Sequence, residues 1–166
     1  MNKQEMLAYT AGIVDGEGCL TISKQIRKDR PSPSYRSSVT VSNTNPILIQ
    51  FFKDNFEGVF YKHSDERVDK NNKNWATAYT WYCSCSNVVP FLESILPYLL
   101  LKKSQAIEII KFQNTKSSYP RKSLGQGKGS SPLSELEITE KESIYLKVKS
   151  MNSKGVYSRS IKKVIV

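Results

Sequence analysis

A chain of 166 residues and 18.9 kDa suits one ordinary domain with a real core and is too short for two large ones. Its 39% hydrophobic and 24% charged residues exclude a disordered or collagen-like chain, and no apolar run approaches the roughly 18 residues of a membrane span. The 25 Lys and Arg against 15 Asp and Glu, a net +10, favour a polyanionic partner, nucleic acid first.

The basic excess is C-terminal: residues 102–166 hold 14 basic and 5 acidic side chains, against 11 and 10 in residues 1–101. A solvated face would look the same. The start, residues 1–9, lacks the apolar centre of a secretory signal. Three cysteines, with Cys83 and Cys85 too close for an easy bridge, argue against a disulfide framework. These features point to the reducing interior of an organelle or of a prokaryotic or phage-infected cell.

Met6, Leu7, Tyr9, Ala11, Ile13 and Val14 recur at helical spacing, with glycines at 12, 16 and 18 bracketing the end of the run. Residues 19–28 then alternate, Leu20, Ile22 and Ile26 opposite Cys19, Thr21, Ser23, Gln25 and Arg27, which predicts a half-buried strand. Pro31 and Pro33 mark a connection, and residues 35–42 alternate again to complete a hairpin. Asn45 and Pro46 read as the cap and first turn of a second helix that ends near Gly58. Residues 59–63 and 75–86 flank a polar turn and predict a second hairpin. Helical patterns resume over 87–101 and 104–116, followed by a flexible Gly/Ser/Lys-rich loop at 117–131 and a basic, helical segment at 132–166. This order predicts a single α+β domain over 1–166 with antiparallel hairpins.

Ala8, Gly12 and Gly16, at i, i+4 and i+8, leave the first helix one side without bulk, so two such helices could meet backbone to backbone. The stretch Ala11-Gly12-Ile13-Val14-Asp15-Gly16-Glu17-Gly18 resembles the LAGLIDADG signature, with Thr10 where the first Leu usually stands. The strands after it, Ser42-Asn43-Thr44, and the run from Leu96 to Gln105 are also similar to single-motif members of that family of homing endonucleases and intron maturases. One copy of the motif without an internal repeat implies a homodimer. The resemblance implies a helix-strand-strand-helix-strand-strand-helix fold whose antiparallel sheet forms a saddle over the major groove of double-stranded DNA. It also implies an enzyme that hydrolyses both strands at a long, nearly palindromic site with Mg²⁺ or Mn²⁺.

By the same resemblance Glu17 is the metal ligand, a Glu where Asp is commoner, with Gly16 beside it, and Asp15 is structural. Asn43 matches a polar position near the metals, and Lys102 a basic residue supporting the attacking water; the three catalytic candidates are thus Glu17, Asn43 and Lys102. The dimer face takes Ala8, Ala11, Gly12 and Asp15. Ser23, Gln25, Arg27, Ser34, Arg36, Ser38 and Thr40 are expected to reach base edges, as are Lys62, Ser64, Arg67, Tyr79 and Trp81 from the second hairpin, where the register is open by one residue. Lys103, Lys111, Lys116, Arg121, Lys122, Lys128, Lys162 and Lys163 are assigned to phosphates.

Other motifs fall short. Cys83, Cys85, Cys19 and His63 lack paired zinc spacing, and the glycines at 125–129 lack P-loop spacing and a preceding strand. Two other functions fit the charge: a maturase or binding-only protein of the same fold, for which RNA would be a partner, and a basic scaffold. The scaffold needs no small-residue helix face, so loss of dimerisation on Gly12→Leu would count against it.

Overall fold

Asn2 opens the first helix, α1 (Lys3–Glu17), with a reciprocal cap. Its side chain accepts the Glu5 N–H at 2.9 Å while the Glu5 carboxylate accepts the Asn2 N–H at 2.8 Å, which satisfies two donors the helix leaves orphaned. The structure, a computed structural model, describes residues 1–63, 76–119 and 131–153, except the side chains of residues 116 and 117.

At Gly18 the chain passes from helix straight into β1 (Gly18–Gln25). A Cβ there would lie 2.5 Å from the Val14 carbonyl oxygen, so this abrupt junction requires glycine. β2 (Ser34–Asn43) pairs antiparallel with β1, Gly18 facing Val41 and Gln25 facing Ser34. Because β2 begins at Ser34, no strand among the described residues pairs with the chain beyond Gln25; the strand expected to reach residue 28 stops there, and Ile26 is 80% exposed.

Asn45 caps α2 (Pro46–Asn55), its side chain accepting the Ile47 N–H at 3.0 Å. β3 (Val59–Lys62) and β4 (Tyr79–Ser84) form the second hairpin. β4 lies beside β2, which gives the antiparallel order β1-β2-β4-β3. A 3-10 turn leads into α3 (Val88–Ile95), another follows it, and α4 (Lys103–Ser118) and α5 (Glu135–Met151) complete the described chain. The α+β arrangement matches the order expected from the sequence. The loop reading over 117–131 and the helical reading over 132–166 fall partly on residues 120–130 and 154–166, outside those described.

Helices cover one face of the sheet. Leu20, Ile22, Val39, Val41, Trp81 and Cys83 point into a core shared with Val14, Ile49, Phe52, Leu92, Ile109 and Phe112, every one buried. Trp81 stacks among Phe52, Phe56 and Phe91 at centroid distances of 5.1, 6.5 and 4.8 Å. Burial pushes the Cys83 thiol up to about 12, which keeps it protonated in the core.

α5 is fastened by polar contacts. Lys147 of α5 reaches Glu108 of α4 at 2.8 Å, where Lys111 of α4 also pairs with it at 3.2 Å, and within α5 Lys141 pairs with Glu137 with both side chains buried. At the far end of the first hairpin the Tyr35 hydroxyl donates to Glu142, which also pairs with Lys24 at 2.8 Å. Asn152, just past α5, donates its amide to the Leu20 carbonyl at 2.9 Å and accepts from Gln105 at 2.9 Å.

Candidate active site and nucleic-acid interface

The carboxylate of Asp15 accepts three consecutive backbone N–H groups, those of Leu100 at 2.8 Å, Leu101 at 3.2 Å and Lys102 at 2.9 Å. These groups lead into α4, whose cap residue Lys102 makes no capping bond with its own side chain. An acidic group from the end of α1 therefore caps the start of another helix. In return, Lys102 Nζ donates to the Val14 carbonyl at 2.9 Å and to the Asp15 carbonyl, satisfying acceptors in the last turn of α1.

This reciprocal clasp brings the Lys102 ammonium into the field of Glu17. Burial holds it below the ordinary lysine value, against the opposing pull of Asp15, Cys19 and Glu17. Glu17 and Gly16 lie exposed at the open end of α1. Asn43 sits at the same end of the sheet, two residues past the Val41 that faces Gly18. Its side-chain oxygen accepts the Asn45 N–H at 2.8 Å in an Asx turn leading into α2.

One carboxylate and the carbonyls of a helix end are hard oxygen donors of the kind Mg²⁺ accepts. They are too few for a complete cage, and no group of three or more His, Cys, Asp or Glu gathers among the described residues. The donor set fits part of a Mg²⁺ shell, whose remaining positions further oxygen ligands or water would fill.

The other face of the sheet is polar. Cross-strand pairing puts Cys19 with Thr40, Thr21 with Ser38, Ser23 with Arg36 and Gln25 with Ser34 on this face. Ser23, Gln25, Ser34 and Arg36 are exposed there, Thr40 is half-buried, and Ser38 is buried beneath them. Arg27 is exposed in the connection beyond β1.

The second hairpin corrects the sequence reading. β2 pairs with β4 so that Val41 faces Trp81 and Asn43 faces Tyr79, which turns Trp81 and Tyr79 toward the helices. Trp81 is wholly buried, Tyr79 packs against the core with its ring 5.9 Å from Phe60, and Lys62 pairs with Tyr79 and shares its side of the sheet. None of these three lies on the polar face. Thr80, Tyr82 and Ser84 of β4, with Val59 and Tyr61 of β3, occupy it instead. The signal in the sequence was partial: Thr80, Tyr82 and Ser84 carry hydroxyls on one alternate set, while the other mixes Trp81 and Cys83 with the hydroxyl of Tyr79. Ser64 and Arg67 lie outside the described residues, as do Arg121, Lys122, Lys128, Lys162, Lys163 and the side chain of Lys116.

On α1, Ala8, Gly12 and Gly16 are exposed, and a Cβ at Gly12 or Gly16 would meet nothing within 4 Å. Ala11, expected on the same surface, is wholly buried in the chain's own core and offers no area to a second copy. The Asp15 carboxylate is committed to the start of α4.

No protein-family model and no curated protein matches this chain. Solved structures do. The homing endonuclease I-CvuI, in complex with its target in the presence of calcium, superposes with a TM-score of 0.67 at 22% identity, over 92% of this chain and 86% of that one. The archaeal intron-encoded homing endonuclease I-Vdi141I complexed with DNA gives 0.69 at 13% identity, over 93% and 88%. The LAGLIDADG homing endonuclease I-GzeII, in complex with a DNA target, gives 0.59 at 15% identity over 96% of this chain but only 48% of its own. The chain therefore has the LAGLIDADG homing endonuclease fold.

Proposed function

We propose that the chain is a homing endonuclease that acts as a homodimer and hydrolyses both strands of double-stranded DNA at a long, nearly palindromic site. The observation that carries this reading is the clasp between Asp15 and Lys102, which presents Glu17 at the open end of a helix whose exposed side is made of small residues. Two copies joined along Ala8, Gly12 and Gly16 would bring their Glu17 carboxylates together, where mutual repulsion favours a divalent cation between them. The half-length match to I-GzeII supports two copies of this fold per working unit. I-CvuI and I-Vdi141I were seen with DNA, which supports the polar sheet face as the DNA-binding surface.

Glu17 and the Gly16 carbonyl would hold Mg²⁺ or Mn²⁺, which supplies Lewis-acid stabilisation and a more acidic water. Lys102, partly desolvated beside Glu17, holds positive charge where phosphate charge develops. The free amide hydrogens of Asn43 orient water at the same end of the sheet, its oxygen being taken by the turn.

The test is digestion of a plasmid library carrying randomised palindromic inserts, with Mg²⁺ and with EDTA, by the wild-type protein and Glu17→Gln. Discrete metal-dependent linear products from the wild type alone are expected. Specific binding without cutting would move the protein to the binding-only or maturase class, and cutting by Glu17→Gln would overturn the metal assignment.

A further inference from the structure

A chain of hydrogen bonds crosses the polar face from β2 to the end of β3. Thr80 Oγ1 lies 2.8 Å from Ser42 Oγ and 2.9 Å from Nε2 of His63, the only histidine in the sequence. Ser42 faces Thr80 directly across the strands, and the His63 N–H donates to the Ala78 carbonyl at 2.9 Å, which carries the ring to Thr80 from the other side. Thr80 is buried, His63 half-buried and Ser42 exposed, so the chain runs from the interior of the sheet surface to the groove.

A threonine hydroxyl has one proton and can donate to one neighbour at a time. When Nε2 carries a hydrogen it donates to Thr80, Thr80 donates to Ser42, and the Ser42 proton is left to point into the groove. When Nε2 is bare, Thr80 donates to it, Ser42 donates to Thr80, and Ser42 shows only lone pairs to the groove. The first state matches purine N7, guanine O6 or thymine O4; the second matches the amino groups of adenine or cytosine.

We propose that His63, acting through Thr80, sets whether Ser42 reads a base edge as a donor or as an acceptor. His63 and Thr80 are then positioning residues for base selection at one base pair of each half-site. The inference rests on the nuclease reading above, because it needs duplex DNA on the polar face.

The experiment selects bound duplexes from a randomised library with the wild type, Ser42→Ala, Thr80→Val, Thr80→Ser and His63→Leu, reading base preference at each position. Ser42→Ala, Thr80→Val and His63→Leu are expected to flatten preference at the same base pair by about five- to tenfold. Thr80→Ser, which keeps the hydroxyl, should restore it, and preference elsewhere should stay as in the wild type. An unchanged preference in His63→Leu, or a change at a different base pair from that in Ser42→Ala, overturns the relay while leaving the nuclease reading in place. A wild type without preference for any duplex overturns both. Should Thr80→Val fail to fold, the comparison of Ser42→Ala with His63→Leu decides alone.

Discussion

Asp15 and Lys102 hold each other at two points: the Asp15 carboxylate accepts the Lys102 N–H at 2.9 Å, and Lys102 Nζ donates to the Asp15 carbonyl oxygen. The end of α1 and the start of α4 are thereby closed on each other, and the two acidic residues of the motif take separate tasks. Asp15 is spent on backbone groups, while the Glu17 side chain stays exposed.

Asp15→Ala should lower stability by about 2–3 kcal/mol, since charged acceptors are lost to three N–H groups at once. Urea unfolding reads this directly. Asp15→Asn, which keeps one carbonyl oxygen, should cost less, and equal loss in the two variants would mean that shape rather than hydrogen bonding matters there.

Arg36→Ala removes an exposed guanidinium paired with Ser23 on the polar face. It should relax base preference at one position of each half-site in a selection experiment. Uniform weakening over all sequences, with a shallower salt dependence, would instead put Arg36 on phosphate.

Gly58→Ala should destabilise the protein by about 1–3 kcal/mol. A Cβ at Gly58 would lie 2.4 Å from Trp81 Nε1 and 3.0 Å from the Tyr82 carbonyl oxygen, and the tryptophan is hemmed in by three phenylalanines. Thermal melting at unchanged DNA preference is the expected pattern. Wild-type stability in this variant would mean that the ring has room to shift.

Acid should unfold the protein through its helix clamps. Burial pulls the Glu108 carboxyl up, but hydrogen bonds from Lys147 and Lys111 outweigh it and hold the group below the ordinary carboxylate value; the hydrogen bonds from Lys24 and Tyr35 lower Glu142 likewise. Both groups bind protons more weakly folded than unfolded, so their stabilisation is complete above about pH 5 and fades as pH falls through the depressed folded values. Melting temperature should drop between about pH 5 and pH 3, less steeply in Lys147→Met. An identical pH dependence in that variant would remove Glu108 from the account.

Much of this was legible in local spacing. The first helix, its capped successor and the alternation of residues 19–25 and 35–42 each rest on neighbours within a few positions, whereas the structural role of Asp15 came from the family resemblance and rests on contacts with residues 100–102. The second hairpin was not legible in the same way. Residues 79–84 carry aromatic side chains on both alternate sets, so which set faces the core depends on pairing with β2, some 40 residues earlier. That pairing put Trp81 inside and made Thr80 a partner of Ser42 and His63, a contact no short-range pattern announces. Ala11 fell out of the interface face for a local reason. It lies one position from Gly12, and the roughly 100° turn per residue carries it off the exposed small-residue side and into the core.

Among the described residues the order β1-β2-β4-β3 leaves β1 at an edge, where main-chain groups are open to a strand from another molecule. Asn152 occupies one of them, its amide on the Leu20 carbonyl, and Gln105 fixes the asparagine in place. The residue that follows α5 thus does more than fasten a helix. It denies the middle of the edge to strand addition and so guards the chain against joining edge to edge into open-ended aggregates.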